Sequence, residues 1–174
     1  FAVLLGLRHD AKDLGQLGTN FLFVQRVDVD CFIPLERQLE HAVSDLGLVL
    51  RFMEDSIVTE SHEALAVVIT GYMEQFGVES SVFFINDGDA RYFNCDEESQ
   101  EALLMAMCRE KGRIVDVGLV TVINGRNASI LVKEMPTDEA RYGELKDVLG
   151  IMINLADARS KSISTTVALK QEQN

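Results

Sequence analysis

Three histidines (His9, His41, His62) and three cysteines (Cys31, Cys95, Cys108) are the side chains most able to ligate a metal or act as nucleophiles. Zinc needs such ligands in closely spaced pairs that can close a tetrahedron, and none of the six has a neighbour of that kind. A solvated or helix-capping role accounts for the histidines. A reactive thiolate needs a basic neighbour or a helix N-terminus to lower its pKa. Only Cys108 has a basic neighbour, Arg109, and its spacing from Leu104 puts it on an apolar helix face as a small core thiol. Acids crowd one stretch, from Asp87 and Asp89 to Asp96, Glu97 and Glu98. A calcium loop alternates its oxygen ligands ahead of the glycine, whereas here Gly88 follows Asp87 directly. No phosphate loop, dinucleotide fingerprint or nucleophile elbow occurs. The residues therefore predict no catalytic group, no metal and no cofactor.

Composition narrows the partners. The chain has 174 residues, 47% hydrophobic and 25% charged, which suits one domain with a buried core. A formal charge of −12 repels phosphate backbones and anionic bilayers, so neither nucleic acid nor membrane is an expected partner. No apolar run approaches the ~20 residues that cross a bilayer. An odd number of cysteines without paired spacing points to free thiols in a reducing cytoplasm. The opening FAVLLGL is short and lacks a basic leader, and reads as a strand belonging to an upstream domain.

Periodicity supplies the elements. From Leu39, apolar residues recur at Val43, Leu46, Leu50 and Met53, a heptad stripe that predicts a helix over 35–58. Ser61 caps a second helix that stops at Gly77. VESSVFFI and DARYFNC read as strands joined through an Asp-Gly turn, and residues 97–110 as a third helix. RIVDVGLVTVI gives one bent strand or two around Gly118, and Asn124-Gly125 turns the chain into ASILVKEM. Pro136 ends that strand, and Thr137 or Asp138 caps a closing helix with Leu145, Leu149 and Met152 on one face. Hairpin connections make the sheet antiparallel, so the fold class is α+β. Tyr72, Phe83, Tyr92 and Met105 are the candidates to line a small-molecule pocket between sheet and helix, or else to fill a core.

Several phrases carry a resemblance: AVSDLGLVLRFM at 42–53, KGRIVDVG at 111–118, SILVKEMP at 129–136, RYGELKD at 141–147 and ADAR at 156–159. Together, residues 36–165 resemble the output region behind the receiver domain of some bacterial response regulators. The element order resembles a GAF fold, an antiparallel sheet between helices, here flanked by long amphipathic N- and C-terminal helices. LGTNFLFVQRVD at 17–28 is similar to the last strand of a receiver, with Gln25-Arg26 where a Lys-Pro pair usually follows. It also resembles the closing strands of a PilZ domain, the cyclic-di-GMP module, without that module's arginine motif.

The resemblance implies a non-enzymatic, cytoplasmic signalling module with upstream or downstream protein partners. The alternative is a small-molecule-sensing GAF-like domain, and a cyclic-di-GMP-related effector stands behind both. The chain then divides into an upstream remnant (1–33), a linking helix (34–60), a GAF-like body (61–137), a C-terminal helix completing it (138–169) and a tail (170–174). The two heptad-like stripes predict a homodimer whose seam uses Leu39, Val43, Leu46, Leu50 and Met53 with Leu145, Leu149 and Met152.

Overall fold

The computed structural model describes residues 37, 39–86 and 88–172. It divides into two compact units, 1–43 and 44–174. In the first unit the described residues are all helical. The upstream remnant expected over 1–33, with Cys31 and His9, lies outside the described residues.

Helix α1 runs over residues 39–57. It is followed by α2 (His62–Gln75), strands β1 (Glu79–Asn86) and β2 (Asp89–Phe93), α3 (Gln100–Cys108), strands β3 (Ile114–Val117), β4 (Val120–Asn124) and β5 (Ala128–Lys133), and α4 (Glu139–Glu172). The strands form one five-stranded sheet in the order β2-β1-β5-β4-β3. Every neighbouring pair is antiparallel, so the α+β expectation holds.

Local chemistry sets most boundaries. Ser61 accepts the Ala64 N–H at 3.2 Å and caps α2. At the other end Gly77 takes φ +79, and its N–H reaches the Glu74 carbonyl while the Val78 N–H reaches that of Met73. That paired closure needs a left-handed residue, which glycine adopts without strain. Asn86 pairs with Asp89, giving the tight hairpin that Asp-Gly favours. The run around Gly118 resolves into two strands, β3 and β4. The third helix is shorter than its expected 97–110 because Ser99 caps it, accepting the Ala102 N–H at 3.2 Å. Asp138 caps α4 by accepting the Arg141 N–H at 2.9 Å. With 34 residues, α4 spans about 51 Å at 1.5 Å per residue. It continues to Glu172, past the 169 expected, with no separate tail beginning at 170.

The sheet separates two cores by strand parity. Val82 and Phe84 of β1 and Ile130 and Val132 of β5 face α1, α2 and α4 in the larger one. Phe83 and Leu131 face α3 in the smaller one, with Met105 and Cys108. Leu145, Leu149 and Met152 are wholly buried in the larger core. Each such side chain contributes about 1.5–3 kcal/mol by leaving water.

Candidate functional site

The residues proposed to line a pocket fall on both faces of the sheet. Phe83 and Tyr92 are neighbours on β1 and β2 with ring centroids 4.7 Å apart, and Met105 joins their cluster with no exposed surface. The Arg109 guanidinium lies 5.2 Å from the Phe83 ring centre and donates to Ser129 Oγ at 2.8 Å. Ser129 donates in turn to Asn124 Oδ1, and the Asn124 amide donates to the carbonyls of Cys108 and Gly112. This face is closed by its own packing and hydrogen bonds. Tyr72 lies on the other face, edge-on to Phe52 at 5.6 Å, with its hydroxyl donating to Asp55 at 2.6 Å. Burial, reinforced by that carboxylate, pushes its phenol up to about 12. The four candidates therefore do not share one space.

A larger open space lies near the start of α2. A cavity of about 410 Å³ sits between the start of α2, the β1–β2 hairpin and the distal half of α4. His62, the first residue of α2, is 8% exposed and lies beside the Phe84 ring, centroid to centroid 5.1 Å. Its Nε2 is 3.1 Å from Ser160 Oγ and 3.1 Å from Asn86 Nδ2. In the neutral tautomer protonated on Nδ1, the amide donates and Nε2 accepts. Burial, with the nearby Arg91 charge, holds the imidazole pKa below its usual 6.5, against the raising influence of the Ser160 backbone and of Glu63 and Asp89. At the rim, Arg91 is held between Glu63 (3.1 Å) and Asp89 (3.0 Å).

A serine hydroxyl 3.1 Å from an imidazole is a nucleophile–base distance. Ser160, however, has no exposed surface and sits within α4, so no substrate reaches it. The triad instead ties α2, β1 and α4 together. Sequence spacing missed it because the partners are 98 and 24 positions from His62. The available signal was Ser160 itself, a polar residue continuing the buried stripe of Leu149, Met152 and Ala156.

Two of the three cysteines lie among the described residues. Cys95 and Cys108 are free, and burial pushes the Cys95 thiol up, away from the thiolate form. Among the described residues, no group of three or more His, Cys, Asp or Glu is placed to hold a metal ion. No described helix is long and apolar enough to cross a membrane.

The two halves of the expected dimer seam fare differently. Leu39, Val43, Leu46 and Leu50 of α1 are 50–72% exposed, and Met53 is half-buried. Leu145, Leu149 and Met152 are instead internal core, because α4 lies along the sheet and turns that stripe onto β4 and β5. They are not open to a second chain.

No protein-family model matches the chain, and no curated protein matches it at a significant level. Among solved structures, the GAF domain of the potassium sensor histidine kinase KdpD from Escherichia coli is similar in fold. It superposes with a TM-score of 0.55 at 13% identity, covering 70% of this chain and 96% of that domain. The fold is GAF-like. In this GAF-like chain the cavity lies on the face that carries α2 and α4, across the sheet from α3.

Proposed function

We propose that this GAF-like chain is a non-enzymatic signal-relay module of bacterial type, which passes a conformational change through paired helices in a homodimer. One observation carries the reading: α1 has two apolar faces. Leu48, Val49 and Phe52 are buried in the body, while Leu46 and Leu50 stay at least half exposed on the other side. Leucines at heptad spacing on an unpartnered face suit the seam of a two-helix coiled coil.

The connections behind that face suit relay. Asp45 of α1 is gripped by Arg141 of α4, and the Arg159 guanidinium of α4 donates to the carbonyl of Thr59 just after α1. A rotation or register shift of α1 is thereby coupled to α4 at two points, the kind of element that switches as a unit.

The test is Leu46→Glu with Leu50→Glu, read by light scattering and circular dichroism. Both side chains are exposed, so the variant is expected to remain folded and to become a monomer. A dimer that persists in the variant, or a wild-type chain that is monomeric at about 100 μM, a concentration well above a micromolar Kd, would overturn the proposal.

A further inference from the structure

We propose that the cavity between α2, the β1–β2 hairpin and the distal half of α4 binds a small organic ammonium ion with an apolar body. The inference goes beyond the relay reading and stands without it.

The cavity's size comes first. At about 410 Å³ it falls in the range that holds a small organic molecule. Its two sides differ in kind. From α4, the exposed Val167 and Ala168 give an apolar wall over the buried Ile163. Opposite stand the carboxylates of Glu60, Glu63 and Asp89 with the single guanidinium of Arg91. A ligand that satisfies both sides has an apolar body and one charged end.

The sign of that charge follows from the ion pairs. Arg91 is already engaged by two carboxylates, through Nη1 to Glu63 and through Nε to Asp89. An anion would have to displace them and would face the remaining acid. An ammonium group meets three carboxylates against one guanidinium, a local formal charge of −2. Burial also disfavours the charged form of His62 at the cavity edge. The chain's overall charge of −12 also draws cations toward such a cleft.

The site also has a consequence for α4. Its apolar wall is the stretch of helix beyond Ser160, which otherwise rests on Ile163 and the His62 triad. A bound molecule adds contacts to that stretch and not to the proximal half, so occupancy reads out as the order of the last turns of α4.

The probes are phenethylammonium and its carboxylate counterpart, phenylpropionate, titrated into the full chain while backbone amide chemical shifts are followed. The ammonium is expected to bind saturably, to shift Ala168 and Gln171, and to weaken as salt is added. Glu60→Gln with Glu63→Gln is expected to weaken it about tenfold, the effect of losing two half-exposed ion pairs. Val167→Trp, at a position 46% exposed and therefore compatible with folding, is expected to fill the cavity and abolish binding. Equal or tighter binding of the carboxylate, no saturable shift with the ammonium, or unchanged binding in Val167→Trp would each overturn the proposal.

Discussion

Asp45 of α1 and Arg141 of α4, 96 positions apart, form a two-pronged ion pair, each guanidinium Nη donating to its own carboxylate oxygen. The Asp45 side chain is 6% exposed and that of Arg141 22%, so the pair is largely withdrawn from water. A bidentate fork in that setting is stronger than a surface pair, and loss of one partner strands the other. Asp45→Ala is expected to cost about 3 kcal/mol. Urea melts of Asp45→Ala, Arg141→Ala and the double variant check it: a coupling near zero would show that the pair contributes nothing.

Gly125 and Asp157 make a second long-range fit. Asp157 Oδ1 accepts the backbone N–H of Asn127 and of Ala128, the latter at 3.0 Å, and so pins the β4–β5 hairpin to α4. A Cβ at Gly125 would lie 2.8 Å from the same oxygen. Gly125→Ala is expected to destabilise by about 2 kcal/mol, through lost hydrogen bonds to a charged group. In an Asp157→Ala background the same change is expected to cost much less, since the obstacle is gone. Additive costs in thermal or urea unfolding would refute the explanation.

His62 predicts a pH dependence with a definite sign. Its folded pKa lies below the ordinary 6.5, so between those two values the unfolded chain binds more protons than the folded one. Stability from this residue is complete above pH 6.5 and declines as pH falls toward the lowered folded value. The wild type is expected to lose stability on acidification from pH 7 to 5, and His62→Gln to lose less over the same interval. Parallel curves for the two proteins would remove His62 as the cause. Glu63, Glu101 and Asp116, also held low in the folded chain, contribute losses only at lower pH, as it falls below the ordinary 4.5 of the glutamates and 3.8 of the aspartate.

Arg109 predicts a chemically conservative change that is not conservative in effect. It stacks on Phe83 and donates to Ser129 and to the Arg126 carbonyl. Lysine carries the charge without the planar fork. Arg109→Lys is expected to cost about 1–2 kcal/mol and to leave the fold intact, with the loss read by denaturant midpoint. A variant as stable as the parent would mean that the network is incidental.

Much of this protein is written in short-range chemistry. Ser61, Gly77, Asp138 and the Asn124-Gly125 pair act on backbone within a turn or two of themselves, so the sequence alone locates the helices, the hairpins and the antiparallel α+β plan. Heptad spacing likewise identifies the apolar stripes of α1 and α4. It does not say what covers them. A stripe becomes core or free surface only when the helix takes its place on the sheet, which buried Leu145 and left Leu46 exposed. The same holds for Tyr72 and Phe83, whose spacing is silent about which face of the sheet each will meet. His62, Asn86 and Ser160 went unrecognised as a group because hydrogen bonds between three separate elements leave no local period. Caps and turns are decided by neighbours along the chain; the cavity and its charge are decided by helix phase and strand register, which exist only once the chain has folded.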